Sequence, residues 1–294
     1  MNKSTTRIPS GFPMLDLLTG GYPMPGLVVA RFLGHEMQAE ILQDFMERQA
    51  FNFSLKESVP CRKTLLSTMQ MTQEELVHTI KESLVKTISI RDEEPWKELL
   101  ADILTSKLYI STRDGGEPLP TPDKYLEYLD KYVGEMEIEA LVVDAIDLLI
   151  PERKACGNPV TNAIENGFSN IASEKLEDGL MKISEKYRIP VIVTDYENRF
   201  MTTSQEYDRI MQLELNQDVN GTVQATTATA SGLTRIEDLF GVPERLGTEL
   251  IRSAVDHYDK YSSFPDATDR IQALANAGAA IAMQIDELLK LMKP

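Results

Sequence analysis

Apolar residues in this chain of 294 residues come in short unbroken runs, separated by longer stretches where they recur every three or four positions. The run GLVVARFL at 26–33, preceded by the turn-rich GGYPMPG, predicts a buried parallel strand. In the next segment, EMQAEILQDFMERQAF, Met37, Ile41, Phe45 and Met46 share one helical face. TLLSTM at 64–69 predicts a second strand, and TQEELVHTIKESLV after it opens with Thr72 and Glu75 in capping-box spacing. KLYIS at 107–111 predicts a third. It precedes TPDKYLEYLDKYV, where Thr121 can cap and Pro122 suits the first position of a helix running to about Gly134. The longest apolar run, IEALVVDAIDLLI at 138–150, predicts the strongest strand and carries Asp144 and Asp147 towards its end. After the polar loop PERKACGNPVTN the pattern predicts a helix from about Ala163 to Tyr187, and IPVIVTDY and MQLELN predict two further strands. Strands and helices that alternate in this way imply an α/β protein with a mostly parallel central sheet flanked by helices. Ligands of such sheets bind outside the carboxyl ends of the strands.

The pattern changes near Asn216. NQDVNGTVQATTATASG is small, polar and turn-rich, and TRIEDLFGVPERLGTELIRSAVDHY returns to helical spacing. We therefore divide the chain into a core at 1–215 and, at 216–294, a linker or hairpin followed by a small helical C-terminal region. In the last segment Ile271, Leu274, Gly278, Ile281, Ile285, Leu288 and Met292 alternate at three and four residues, with Asp286, Glu287 and Lys290 outside the seam. Such a seam suits packing on the chain's own domain, or pairing with a protein partner or a second copy through Ile271, Leu274, Ile281, Ile285 and Leu288.

Charge narrows the partners. The net charge is -16, and acids outnumber bases in both halves, by 24 to 15 in residues 1–150 and by 22 to 15 in residues 151–294. Non-specific nucleic-acid binding draws its affinity from cations that neutralise phosphates, so a broad DNA-coating surface is not expected. No apolar run approaches the ~20 residues that span a bilayer, and MNKSTTRIPS has no apolar signal core, so a cytoplasmic protein without membrane contact is expected. Cys61 and Cys156 match no redox or metal spacing, and His35, His78 and His257 are scattered; no metal site is expected. Trp96 reads as a core anchor.

One segment does point to a family. IPSGFPMLDLLTGGYPMPGLVVA at 8–30 resembles the lead-in to the ATPase core of RecA and DnaB-type proteins, through Ser10, Gly11, Leu15, Asp16, Gly20, Gly21 and Gly26. STMQMTQEEL and PWKELLADILTSKLYIS resemble the segments after the second strand of replicative helicases. EALVVDAIDLL resembles their Walker B strand, and LMKISEKYRIPVIVTDYENRF resembles the helix and strand that end in the sensor motif. The likeness runs in order over residues 8–215. It implies a RecA-like, P-loop type fold, and the compact chain points to a phage-type source and a host cytoplasm.

The resemblance also locates the chemistry, position by position, and finds it altered. A P-loop reads G-x-x-x-x-G-K followed by Ser or Thr, its N–H groups and lysine facing phosphate and its hydroxyl facing magnesium. Aligned from Gly34, the second glycine becomes Ala39, the lysine Glu40 and the hydroxyl residue Ile41; a shifted register puts Glu36 at the lysine. Two like charges ~4 Å apart at an effective dielectric near 20 repel by about 4 kcal/mol where attraction is needed. The family's catalytic glutamate falls near Met69 or Gln70, neither of which is a base. Asp144 keeps the Walker B place, where it could hold magnesium through water, or else stand as a leftover carboxylate that faces solvent or caps a loop. Asp144 with Asp147, and Glu74 with Glu75, otherwise have ordinary surface or strand-end readings. At the sensor, Tyr196 or Asp195 replaces glutamine, while Asn198 and Arg199 match the helicase ending. Of the DNA-facing loops, FMTTSQEY is short and without a basic residue, and Pro151 to Thr161 keeps Arg153 and Lys154 as possible phosphate contacts.

The expectation is a pseudo-ATPase that needs no cofactor and serves as a binding or assembly subunit near DNA replication or recombination. Two alternatives stand beside it. One is an active DNA-dependent ATPase, recombinase or helicase that uses ATP and magnesium and is completed by a neighbouring subunit, with Arg199 or Arg31 supplying charge. The other is a structural, oligomer-forming protein.

Overall fold

The computed structural model describes residues 6–32, 39–54, 61–72, 74–76, 107–113, 118–152, 159–200, 202, 209–229 and 232–241. In chain order the elements are β1 (Thr6–Ile8), α1 (Pro13–Thr19), β2 (Tyr22–Met24), β3 (Gly26–Phe32), α2 (Ala39–Ser54), β4 (Thr64–Thr68), β5 (Leu108–Thr112), α3 (Pro122–Glu135) and β6 (Ala140–Asp144). A 3-10 turn at Ile146–Leu149, α4 (Pro159–Tyr187), β7 (Pro190–Asp195), β8 (Ile210–Gln217), β9 (Val223–Thr229) and β10 (Gly232–Ile236) complete them. Eight strands form one sheet in the order β10-β9-β8-β3-β7-β6-β4-β5. From β8 to β5 every pairing is parallel, while β9 and β10 are antiparallel additions. This is a large, mostly parallel mixed sheet flanked by helices, compatible with a RecA-like fold.

Side-chain alternation sorts each parallel strand between two cores. Leu27 and Val29 of β3, with Leu141 and Val143 of β6 and Val191 and Val193 of β7, meet Tyr125, Leu129 and Val133 of α3 and Leu176, Leu180 and Ile183 of α4. On the other face Val28, Ala30 and Phe32 pack with Leu15 of α1 and Ile41, Leu42 and Phe45 of α2. Met46 and Ala50 of α2 cover Leu66 and Val142 beside them. Both faces of β3, β7 and β6 are therefore dry, which is why these strands read as unbroken apolar runs.

Local signals place several boundaries. Thr121 accepts from Lys124 N and Pro122 begins α3, as its spacing predicts. The Thr72–Glu75 capping box forms, with Glu75 accepting from Thr72 N at 2.9 Å and Thr72 Oγ1 accepting from Glu75 N at 3.3 Å. Residues 74–76 after it are helical, with Leu76 N donating to Thr72 O at 3.0 Å; the rest of that expected helix, like Trp96, Cys156 and the whole seam from Ile271 to Met292, lies outside the described residues.

Three expectations need correction. The apolar run 138–150 is not one strand: β6 stops at Asp144, Ala145 adopts φ 57°, and the 3-10 turn comes next. The left-handed residue swings Asp147 back under β7, where it is 1% exposed. TRIEDLF does not begin a helix, because Thr234, Arg235 and Ile236 pair with Thr227, Thr226 and Ala225 of β9; the pull of a sheet edge outweighs weak helical spacing. The helix expected from Ala163 begins at Pro159, the proline sitting where its missing N–H costs nothing. Periodicity also misses α1 and the β1–β2 pair, both too short to register in it.

Candidate functional site

The carboxyl ends of β4, β6 and β7 converge on Asp144, the last residue of β6. It is 0% exposed, so the solvent-facing reading of this residue is wrong. Thr68 Oγ1 donates to its Oδ2 at 2.7 Å and Gln70 Nε2 donates to the same oxygen at 3.2 Å. Thr194 Oγ1 and Tyr196 OH donate to Oδ1 at 2.8 and 2.9 Å. A carboxylate offers about four acceptor positions, and four protein donors fill them here. Thr194 in turn accepts from Ala145 N at 2.9 Å, so its one proton is committed to Asp144. Burial and the charge of Asp144 push the Tyr196 phenol well above its ordinary range, which keeps it a donor.

A metal ion or its water could reach this carboxylate only by displacing one of those donors. Among the described residues no group of three or more His, Cys, Asp or Glu is arranged to hold a metal ion. In the place expected for a catalytic base, Gln70 instead supplies an amide donor, and Met69 is buried in the core with Leu65 and Tyr125.

The turn after β7 carries the sensor-like residues, and each is engaged locally. Tyr196 N donates to Asp147 Oδ1 at 3.1 Å. Asn198 takes φ 53°, a conformation asparagine tolerates better than most, and its Nδ2 donates to Phe32 O at 3.1 Å, tying the turn to the end of β3. Arg199 pairs with Glu197 at 2.8 Å and reaches Ile150 O at 3.5 Å. Arg31 lies on the α4 face of β3 and donates to Phe200 O at 2.9 Å. Asp195 is buried and accepts from Arg199 N and Phe200 N at 2.9 and 3.1 Å.

The segment that resembles a phosphate loop leads into α2. Gly34 and Glu36 lie outside the described residues, as do Arg153 and Lys154 of the possible nucleic-acid loop. Ala39 and Glu40 are exposed at the start of α2, and Ile41 turns inward among Leu42 and Phe45. Glu40 places a carboxylate in the first turn, where a helix N-terminus favours negative charge.

The lead-in segment explains itself by packing. Asp16 accepts from Ser10 N and Ser10 Oγ, both at 2.7 Å, and from Gly11 N at 3.2 Å. Gln49 of α2 holds the same loop by donating to Ser10 O at 3.0 Å, and Tyr22 OH donates to Gln49 Oε1 at 2.7 Å. Gly21 has φ 91°, and a Cβ there would stand 2.0 Å from Ile8 O. Ser10, Gly11, Asp16 and Gly21 thus have structural work without a ligand.

Thr68 and Thr194 are members of the site that the sequence pattern does not single out, and Asp147 is one that it reads only as an ordinary strand-end acid. Their sole signal is a polar residue at, or just past, the end of a buried run: TLLST, VIVTDY and LVVDAID. No helix among the described residues is long and apolar enough to cross a membrane. No family model matches the chain, and no curated protein matches it either.

Proposed function

We propose that the chain is a RecA/DnaB-like core that has lost ATP hydrolysis and acts as a binding or assembly subunit in DNA replication or recombination. One observation carries the reading: the carboxylate in the magnesium position, Asp144, is buried and saturated by Thr68, Gln70, Thr194 and Tyr196. A nucleotide–metal complex needs that carboxylate free, together with a cation at the loop where Glu40 and Glu36 stand. The replication or recombination setting rests on the resemblance of residues 8–215 alone.

Calorimetry with ATP and magnesium tests it. No saturable heat is expected at micromolar concentrations, and saturable binding reduced by Asp144→Ala overturns the reading. The alternative, an active ATPase completed by a neighbouring subunit, calls for a free cation at the site. Arg199 is engaged by Glu197 and Ile150 O, and Arg31 by Phe200 O, so either would have to leave its partner in its own chain to reach a neighbour's site. Turnover that rises steeply with protein concentration and vanishes in Arg199→Ala supports that alternative over the first.

A further inference from the structure

Past the 3-10 turn that follows β6, the start of α3 and the first half of α4 border a groove of about 620 Å³, lined by Pro122, Pro151, Glu152, Phe168, Ile171 and Ala172. Its walls are tied together. Ser169 Oγ donates to Pro151 O at 2.7 Å, and Lys175 Nζ, at the rim, pairs with Asp123 at 2.6 Å. Yet Phe168 and Ile171, one turn apart on α4, are each 61% exposed. Gly167 adjoins them. Among the described residues a Cβ there would meet nothing within 4 Å, so the packing around it does not call for glycine, which weakens a helix interior. Glycine on an open helix face does suit the close approach of another backbone.

A distant segment matches this groove in chemistry. Residues 271–285, IQALANAGAAIAMQI, carry no Asp, Glu, Lys or Arg in a chain that is 26% charged. Ile271, Leu274, Ile281 and Ile285 recur there at helical spacing, with alanines and Gly278 between them, a pattern that predicts a slim helix in need of cover. The described chain ends at Gly241, just after Phe240 packs against Phe12 on the α1–α2 face of the sheet, opposite the groove. A connection as long as residues 242–270 spans at most about 100 Å. It starts on the side of the sheet away from the chain's own groove, which favours the groove of a neighbouring copy. A nucleic-acid occupant is disfavoured, since Lys175 is the one cation among the lining residues and is paired with Asp123. We propose that residues 271–285 of one copy dock as a helix in the groove beside Phe168 and Ile171 of another, joining the chains head to tail. The proposal deepens the assembly role stated above and rests on it.

Sedimentation velocity on the full chain and two variants tests it. The unmodified chain should associate. Phe168→Glu with Ile171→Glu, and separately Leu274→Asp with Ile281→Asp, should each weaken association by roughly thirtyfold or more. Circular dichroism of the groove variant should match the unmodified chain, because both side chains stand largely in solvent; Phe168→Ser with Ile171→Ser gives the same reading if it does not. Mixed in equal amounts, the two variants should form a 1:1 heterodimer and nothing larger, since one keeps the segment and the other keeps the groove. Association that survives in the groove variant but not in the segment variant means that segments pair with each other, and it overturns the docking while leaving the assembly role standing. A mixture that stays monomeric also overturns the docking. A monomeric unmodified chain overturns docking and self-assembly together, whether the segment fills its own groove or a different protein does.

Discussion

Asp144 shows how a single carboxylate at a strand end can be buried with all its acceptor positions met by protein donors. Its four donors come from the ends of two neighbouring strands and the turns just past them, so removing one leaves a buried acceptor short of a partner. Tyr196→Phe should cost about 1–3 kcal/mol in urea unfolding. Asp16 makes a different prediction, about pH. Burial pushes its carboxyl up to about 6 from an ordinary 3.8, outweighing the Ser10 and Gly11 donors. The folded chain therefore holds a proton that the unfolded chain releases, so this contribution is fully present below about pH 4, falls as pH rises towards about 6 and is level above. Asp16→Asn should flatten that slope in a series of unfolding midpoints. Neither the saturation of Asp144 nor the partial burial of Asp16 is legible from composition, because the first depends on residues 50 to 76 positions away and the second on a local turn 5 to 6 positions away that folding sets.

Among the elements, the parallel strands are the most legible, since a strand buried on both faces must be apolar throughout. The exceptions lie where one residue redirects the chain. Ala145, at φ 57°, ends β6 inside an apolar run that has no glycine or proline to mark the break. Gly21 is the reverse case, a residue whose reason is visible only in space: its missing side chain lets the backbone pass against Ile8 O. Gly21→Ala should therefore cost about 3 kcal/mol or more, because the obstruction is backbone and cannot swing aside. A melting curve checks this, and a loss under about 1 kcal/mol would show that the β1–β2 pair can shift.

On the scale of the whole molecule, the order β8-β3-β7-β6-β4-β5 sets the ends of β4, β6 and β7 side by side, which makes one closed polar cluster out of separated segments. The antiparallel β9 and β10 widen the same sheet past residue 215, so the core does not end where the polar, turn-rich composition begins. The proposed assembly role belongs to this scale and rests on the C-terminal seam. Sedimentation of the full chain should show self-association, and Leu274→Asp combined with Ile281→Asp should abolish it; a monomer at high concentration in the unmodified chain removes that role for the seam.

Sequence alone is enough to read the α/β class, the buried strands, the capping of α3 and the acidic character of the start of α2, because apolar runs, caps and charge are local properties of neighbouring residues. Only the tertiary structure decided what became of Asp144. Whether a carboxylate at a strand end waits for a metal or is filled by hydroxyl and amide groups depends on which distant side chains the sheet order sets beside it, and hydrogen bonds of about 2.7–3.2 Å leave no trace in sequence spacing.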